Sequence, residues 1–273
     1  MVQAKGRHSP CLAKEELMII ATWNVNSLTV RLEQLLDWMK DNKPNIICLQ
    51  ETKSVDEKFP GDRFESLGYH CEFFGEKTYN GVAIISDKPL GNIQKGFVGE
   101  SPSSAKRLIG AEVDDIKILN TYIPNGQAVG SEKFFYKLNW LKSLNEHIEK
   151  AHKPAEPIIW CGDFNVAPED IDIYDSLAMA GQIMCSEEER VALNGIRDWG
   201  FIDAYRLKEK GAGNFSWWDY RMGAFRRNMG FRIDHIWVTR PLADRCVRSW
   251  IDKAPRKLER PSDHAPVVAE FAD

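Results

Sequence analysis

Short apolar runs recur along the chain, and polar residues of functional type follow most of them. Residues 19–23 and 46–49 have the length and composition of buried strands. Between them, apolar residues at positions 32, 35, 36 and 39 follow one helix face, and Pro44 ends the predicted helix. This strand–helix–strand order predicts a sheet that is covered on its outer face by helices.

The rest of the chain continues the alternation of strands and helices. Residues 82–85, 108–113 and 116–122 have strand patterns. A helix is predicted from about 131 to 152, and its apolar residues are Phe134, Phe135, Leu138, Leu141 and Ile148. A buried strand begins at residue 158, and a helix carries apolar residues at positions 191, 196 and 199. Strands are predicted at 232–238 and 266–271. The sequence therefore indicates an α/β fold.

Composition limits the domain organisation and the compartment. The 273 residues, 43% of them hydrophobic, suffice for a large core, and no Gly/Ser linker divides them. We predict one domain over residues 18–273 and an N-terminal extension over 1–17 that is disordered or added to the natural sequence. No stretch is apolar enough to span a bilayer and residues 1–17 lack a signal-peptide pattern, so a cytoplasmic protein without membrane contact is expected.

Two further features of composition bear on partners. The six cysteines are scattered without a CxxC pair, which is typical of reduced thiols and not of a disulfide framework or a zinc site. The formal net charge is −4, so the whole molecule offers no general attraction to nucleic acid. A polyanionic partner would need a local basic patch.

The most informative apolar run ends in Gly162-Asp163-Phe164-Asn165. On an extended backbone, Asp163 and Asn165 point to the same side, where a carboxylate and an amide can take a proton and hold an anionic oxygen. The alternative is an ordinary strand-to-loop turn, because Gly, Asp and Asn are favoured there. The sequence around these two residues leaves both interpretations open.

Similar residues occur beside other apolar segments, and sites gather at such strand ends in layered folds. Glu51 and Asp263, with amides nearby, form an oxygen-ligand set that suits Mg²⁺ or Mn²⁺ better than zinc. His264 is the one histidine with such neighbours in the sequence, although a lone histidine is often structural. Together these groups match the requirements of phosphodiester hydrolysis. The candidate set is Asn24, Asn26, Glu51, Tyr122, Asp163, Asn165, Asp234, Asp263 and His264.

Six short sequence motifs, which contain the candidate residues, occur in a fixed order along the chain. They are residues 21–28 (ATWNVNSL), 49–53 (LQETK), 122–126 (YIPNG), 162–165 (GDFN), 232–235 (RIDH) and 261–266 (PSDHAP). Together they resemble the exonuclease III family of apurinic/apyrimidinic (AP) endonucleases, within the endonuclease/exonuclease/phosphatase superfamily. The resemblance implies a four-layer α/β sandwich of the deoxyribonuclease I type, with two packed mixed β-sheets flanked by helices. It also implies Mg²⁺-dependent cleavage of DNA 5′ to abasic sites, with 3′-phosphatase, 3′-phosphodiesterase and 3′→5′ exonuclease activity.

The resemblance assigns roles to the candidate residues. Glu51 would be the principal metal ligand, and Asn24, Asn26 and Asp263 would be further ligands or would hold the ligands. Asp163 would activate the attacking water or protonate the leaving group. Asn165 and Tyr122 would hold the phosphate, and His264, oriented by Asp234, would stabilise the transition state.

The resemblance also implies how DNA is bound. Trp217, Phe231 and Ile233 would line a pocket for a flipped abasic sugar, and Asn125 would lie beside it; the alternative for the three apolar residues is plain core packing. The segment from residue 221 to 232 holds four arginines and no acid before residue 234, so Arg221, Arg226 and Arg227 are candidates for backbone contacts unless they are only a solvated face. The partner would be double-stranded DNA with abasic sites or blocked 3′ ends, bound by a monomer. The unusual loop 179–185 would alter specificity if it lies near the pocket.

Three other interpretations remain at this stage. A phosphodiesterase of the same superfamily that acts on inositol phosphates or sphingolipids would share the metal and histidine motifs, but the blocks at 122–126 and 217–234 favour the DNA branch. A member specialised in 3′-end processing would have weak AP endonuclease activity. A non-catalytic DNA-binding relative would be expected to lack Glu51, Asp163 or His264, and all three are present.

Overall fold

The computed structural model describes residues 17–101 and 103–272, and twelve strands occur in this part of the chain. The strands are β1 (Leu17–Asn24), β2 (Ile46–Gln50), β3 (His70–Phe74), β4 (Val82–Ser86), β5 (Gly91–Lys95), β6 (Leu108–Val113), β7 (Ile116–Tyr122), β8 (Ile158–Asp163), β9 (Ile202–Asp203), β10 (Asp234–Val238), β11 (Cys246–Ile251) and β12 (Val267–Ala272). The α-helices are α1 (Leu28–Asn42), α2 (Gly61–Glu65), α3 (Glu132–Ala151), α4 (Ser176–Met179), α5 (Glu187–Asp198), α6 (Ala204–Lys208) and α7 (Arg240–Ala243). Short 3₁₀ turns lie at Asp56–Lys58, Asp170–Asp172, Arg221–Gly223 and Pro255–Lys257.

The strands form two six-stranded sheets of similar topology. The first has the order β11-β12-β1-β2-β4-β3 and the second the order β5-β6-β7-β8-β10-β9. In each sheet the two central strands are parallel and are connected by a helix: β1-α1-β2 in the first and β7-α3-β8 in the second. The other strand pairs are antiparallel, so both sheets are mixed.

Three apolar clusters hold four layers together. The two sheets pack face to face through residues at alternate positions along their strands, such as Ile20, Ile84 and Ile236. The outer face of the first sheet packs against α1 and α2, and the outer face of the second packs against α3 and α5. This architecture confirms the predicted four-layer sandwich, and it explains why the central strands are apolar on both faces.

One of the apolar residues predicted for the long helix α3, Phe135, lies off the face that packs on the sheet. Its N-cap is Ser131, whose hydroxyl oxygen accepts the backbone N–H of Phe134 at 3.2 Å. Phe134 is buried as expected, but Phe135 is 56% exposed, and the buried position on the next turn is Lys137. The predicted residues Leu141 and Ile148 are buried in the face of α3 that packs on the sheet, and Phe135 lies outside that face.

The strands that the sequence patterns missed, β3, β5, β9 and β11, are the edge strands of the two sheets. Strands β3 and β5 lie at sheet edges and are mostly half-exposed, and both β5 and β11 contain register shifts against their neighbours. A strand with one solvent-exposed face and an irregular register lacks the apolar run that is typical of a central strand. The strand predicted at 232–238 starts only at Asp234.

The structure adds three facts about the earlier expectations. Strand β1 begins at Leu17, one residue inside the predicted extension, and the remainder of that prediction, residues 1–16, lies outside the described residues. Among the described residues, no helix combines the length and apolarity needed to cross a membrane. The five described cysteines, at positions 48, 71, 161, 185 and 246, are free thiols.

Candidate active site

Polar residues that follow central strands of both sheets meet at one edge of the sandwich. Asn24 ends β1, Glu51 follows β2, and Asp163 ends β8. The side-chain amide of Asn24 donates to Glu51 Oε1 at 2.9 Å and to Asp163 Oδ2 at 2.8 Å. One amide therefore hydrogen-bonds to a carboxylate of each sheet and connects the two sheets at this edge.

The residues after β8 form a strand-to-loop turn, and Asp163 in this turn is also part of the candidate site. Asp163 Oδ1 accepts the backbone N–H of Asn165 at 2.9 Å, and Asn165 has a left-handed backbone with φ 50°. The extended-backbone prediction for Asn165 is therefore wrong, although Asp163 still points at Asn24. Gly162 is required beside them because a Cβ atom there would lie 1.9 Å from the backbone oxygen of Thr121.

His264 completes the group through two carboxylates. Its Nδ1 lies 2.8 Å from Asp234 Oδ2, and its Nε2 lies 3.7 Å from Asp163 Oδ2. Burial lowers the pKa of His264, but the Asp234 and Asp163 carboxylates outweigh it and raise the pKa to about 10. Burial raises the pKa of Asp163 to about 7, against the opposing charge of His264. The site thus contains an imidazolium beside a carboxyl group that titrates near neutrality.

The oxygen atoms around Glu51 fit a hard divalent cation. Single ligand atoms of Glu51, Asp163 and His264 lie within 4.8 Å of one another. Glu51 Oε2 is 2.8 Å from the ammonium group of Lys53. Burial raises the pKa of Glu51, but Lys53 and the Asn24 amide outweigh burial and leave the pKa below its ordinary value. The carboxylate is therefore ionised and negatively charged at neutral pH. An ionised carboxylate with oxygen neighbours is the donor set that Mg²⁺ prefers.

Asn26 and Asp263 lie next to this group and contact each other. The Asn26 amide donates to Asp263 Oδ1 at 2.9 Å, and Asn26 Oδ1 accepts Lys53 Nζ at 2.5 Å. The second oxygen of Asp263 accepts the indole N–H of Trp217 at 3.0 Å. Both carboxylate oxygens of Asp263 are therefore engaged within the protein, which suits a residue that holds its neighbours in place.

Tyr122 and Asn165 form the side of the site that belongs to the second sheet. Burial raises the pKa of the Tyr122 hydroxyl, and the nearby Glu51 and Asp163 carboxylates raise it further, so the phenol remains a proton donor. Asn165 donates to the backbone oxygen of Ile123 at 3.0 Å, and its Oδ1 accepts the amide of Asn125 at 3.0 Å. Two hydrogen-bonded asparagines and a phenol thus lie together beside the carboxylates.

An apolar slot lies next to His264. Trp217 and Phe231 pack edge to face with ring centroids 5.7 Å apart, and the Trp217 ring is 6.5 Å from that of His264. Ile233, predicted to line the pocket, is only 1% exposed and packs in one apolar cluster with Phe231 and Trp217. The cavity has a volume of about 330 Å³ and is lined by Tyr174, Met179, Trp217, Asp219, Arg221, Met222, Ala224, Met229 and Phe231.

The arginine-rich segment divides into surface and core residues. Arg226 and Arg227 are exposed, and Arg221 is exposed but paired with Asp219 at 2.6 Å. Arg232 is 1% exposed and forms ion pairs with Asp172 at 2.7 Å and Asp203 at 2.8 Å. The guanidinium group of Arg232 is therefore paired with these two carboxylates, in contrast to the three exposed arginines.

Several neighbours of the site received no role from the sequence. Lys53 is separated from Glu51 by one residue, and the spacing in residues 49–53 was the available signal for it. Met179 lines the slot, so the loop 179–185 lies next to it. Within this loop, the Cys185 thiol donates to the backbone oxygen of Met179 at 2.9 Å. No sequence pattern indicated Tyr174, because the bridge between Ile173 and Phe231 that brings it to the slot is a long-range contact.

Known proteins match the chain over most of its length. The model of the endonuclease/exonuclease/phosphatase family matches residues 21–264. The exodeoxyribonuclease III of Haemophilus influenzae is 36% identical over 266 residues, which cover 93% of this chain and 100% of that protein.

Two solved structures are also similar. An AP endonuclease from Archaeoglobus fulgidus has a TM-score of 0.90 and 41% identity, covering 93% of this chain and 99% of that one. The 3′ phosphatase NExo from Neisseria, bound to a product DNA hairpin, has a TM-score of 0.89 and 40% identity, covering 94% and 100%.

Proposed function

The chain belongs to the endonuclease/exonuclease/phosphatase family, and from this premise we propose that it hydrolyses the DNA phosphodiester 5′ to abasic sites. It is a hydrolase of the exodeoxyribonuclease III and AP endonuclease type. Its companion activities would be 3′-phosphatase, 3′-phosphodiesterase and 3′→5′ exonuclease. We place it in the cytoplasm, as a monomer acting on duplex DNA with abasic sites or blocked 3′ ends.

One observation carries the proposal. Glu51, Asp163 and His264 come from separate parts of the chain, and their ligand atoms lie within 4.8 Å of one another. Asn24 connects two of them, and Asp234 orients the third. A buried imidazolium beside a carboxyl with a pKa of about 7 is suited to an anionic phosphate whose cleavage needs a proton carrier.

Each side chain has a task in this hydrolysis. Glu51 would hold Mg²⁺ or Mn²⁺, assisted by Asn24, and the bound cation would supply positive charge for the phosphate oxygens. His264 would hold a non-bridging oxygen, and its charge would oppose the negative charge that grows as water attacks phosphorus. Asp163 would take the proton from that water or give one to the departing 3′ oxygen. Tyr122 and Asn165 would hold the remaining phosphate oxygens through their O–H and N–H groups.

The balance between internal and terminal cleavage is a separate question. The similar NExo structure is described as a 3′ phosphatase, which keeps a second candidate open: an enzyme specialised in 3′-end processing with weak AP endonuclease activity. A non-catalytic DNA-binding relative is the third candidate, and the intact group of Glu51, Asp163 and His264 argues against it.

A gel assay on three DNA substrates tests the proposal. Purified protein with Mg²⁺ is given an abasic duplex, a 3′-phosphate nick and an intact recessed end, with Asp163→Asn as the control for contaminating nucleases. We expect cleavage of the abasic duplex to be the fastest reaction. Faster removal of the 3′ phosphate would select the 3′-processing alternative, and binding without cleavage of any substrate would select the non-catalytic one.

A further inference from the structure

Lys137 of α3 has no solvent exposure, and its ammonium group contacts three acceptors. It donates to the backbone oxygen of Asn165 at 2.8 Å and to that of Asn125 at 3.2 Å, and it forms an ion pair with Glu189. A buried ammonium group is destabilising unless it is paired and hydrogen-bonded. Here every proton of the group has a partner, so the site around Lys137 is built for a positive charge.

Glu189 is held as firmly as the lysine. It is fully buried, and its Oε2 accepts the backbone N–H of Ser186 at 3.0 Å and the Ser186 hydroxyl at 2.7 Å. Its Oε1 accepts the backbone N–H of Met184 at 3.1 Å. The ion pair therefore anchors Lys137 to the first turn of α5 through a capping box.

The two backbone oxygens that Lys137 holds belong to the two asparagines of the candidate site. The side chains of these asparagines contact each other, with Asn125 Nδ2 donating to Asn165 Oδ1 at 3.0 Å. Asn165 has φ 50°, a left-handed conformation that persists in a non-glycine residue only where its surroundings fix it. Gly126, next to Asn125, lies against the lysine side chain, since an added Cβ would be 3.1 Å from Lys137 Cδ.

We propose that Lys137, locked by Glu189, is a positioning residue that fixes Asn125 and Asn165 so that their amides meet the scissile phosphate. This inference rests on the proposed function, because it gives the two amides a phosphate to hold. Lys137 itself does not touch the substrate. Its effect on the reaction passes through the two backbone oxygens.

The kinetics of Lys137 variants test this positioning role. Lys137→Met removes the charge, and Lys137→Met/Glu189→Gln removes the charge of both partners, so that no unpaired charge stays buried if the single variant does not fold. We expect kcat on the preferred DNA substrate to fall roughly 10²-fold in the folded variant, since a small misplacement of positioning groups has that effect. His147→Ala on the same helix is the control, because this buried side chain contacts Gln94, Phe97 and His152, which lie in neither loop.

A double-mutant cycle separates positioning from general destabilisation. Because Lys137 acts through Asn165 and Asn125, its substitution should change kcat by only about threefold or less in an Asn125→Ala/Asn165→Ala background. Thermal melts show that each variant is folded at the assay temperature. A full 10²-fold loss in that background as well, or wild-type kcat in both Lys137 variants, would overturn the proposal.

Hydrogen exchange measured by mass spectrometry keeps this test independent of the proposed function. If wild-type protein cleaves no DNA, the proposed function fails, and the positioning role is then decided by exchange alone. We expect faster exchange of peptides covering residues 123–127 and 163–167 in the Lys137 variants and unchanged exchange there in His147→Ala. Unchanged exchange in the Lys137 variants would refute the structural step itself.

Discussion

Asn24 and Asp163 are joined by a hydrogen bond of 2.8 Å that crosses from the first sheet to the second. The same amide nitrogen donates to Glu51 at 2.9 Å. Two carboxylates that repel each other are thus held together by one neutral donor. This contact brings the proposed metal ligand and the proposed proton carrier into one site.

We predict that Asn24→Ala weakens metal use more than folding. Without the amide, the two carboxylates lose a shared donor and Glu51 is free to change its orientation, and the loss of such a partner lowers metal affinity by roughly 10–100-fold. The Mg²⁺ concentration that gives half-maximal cleavage should rise accordingly, while saturating Mg²⁺ recovers much of the rate. A metal titration of wild type and variant measures this, and an unchanged midpoint would contradict it.

The metal prediction itself concerns Glu51. Oxygen-only ligands imply activity with Mg²⁺ or Mn²⁺ and loss of activity in EDTA, restored by either ion. Glu51→Gln removes the negative charge, so it should have poor activity at low Mg²⁺. Cleavage assays across metals and chelator check this. Full activity in EDTA would exclude the metal assignment.

Asp163→Asn should separate chemistry from folding. If Asp163 moves the proton, the amide variant loses roughly 10²–10⁴-fold in kcat, while the nearly equal shape preserves the fold and the binding of abasic duplex. His264→Asn should lose kcat in a similar way, because the positive charge beside the phosphate disappears. Circular dichroism and gel-shift assays accompany the rates. A variant that is unfolded or cleaves at the wild-type rate would refute the role.

The parts of the fold that sequence predicts well are those buried on both sides. Strands such as β2 and β8 are apolar runs because sheet and helix layers cover both faces, so a single pattern identifies them. The edge strand β5, with its exposed glycine and lysine ends, has no such pattern and becomes a strand through pairing with β6. Long-range hydrogen bonding determines it, and local composition does not.

The candidate site divides in the same manner. Residues at strand ends, such as Glu51 and Asp163, could be chosen from the sequence because each directly follows an apolar run. Lys137 could not, since it lies between Tyr136 and Leu138 in what resembles an ordinary helix surface. Its burial results from the approach of α5 and two loops, which no local pattern contains.

The buried network around Arg232 predicts a pH dependence of stability. Burial raises the pKa of Asp172, but the charges of Arg232 and Arg206 outweigh burial and leave the pKa below its ordinary value. A lowered folded-state pKa means that the contribution of Asp172 to stability is complete above the unfolded pKa of about 3.9 and is lost as pH falls through the folded value. The carboxylate therefore stabilises the protein fully at neutral pH.

We predict that Asp172→Asn is less stable than wild type at pH 7, by roughly 3–5 kcal/mol, because Arg232 loses one buried partner. The difference should begin to shrink as pH falls below about 4, because Asp172 then takes up a proton in the unfolded chain but not yet in the folded protein. Urea unfolding at several pH values measures it. Asp37→Asn, in an exposed pair, should have little effect at any pH. A difference that stays constant down to pH 3 would contradict the assignment.

The last prediction concerns the slot beside His264. Hydrolysis next to an abasic site requires that the baseless sugar leave the helix, which costs least where no base is stacked or paired. Phe231 and Trp217 form one wall of the slot, and Trp217 is tied to Asp263, so a sugar against this wall lies next to the candidate catalytic group. Phe231→Ala should therefore lower kcat/KM on abasic duplex and narrow the preference for it over undamaged DNA.

The 3′-phosphatase rate of Phe231→Ala should change less, because a frayed 3′ terminus can reach the carboxylates without filling the slot. Phe201→Ala is the matched control: Phe201 is also buried, but it packs against Trp160 and Trp199 away from the slot. Both variants lose packing, so both are assayed well below their melting temperatures. A selective loss on abasic duplex in Phe231→Ala alone assigns the slot to the extruded sugar. Equal losses on the two substrates would make Phe231 a core residue, and the pocket hypothesis would then be wrong.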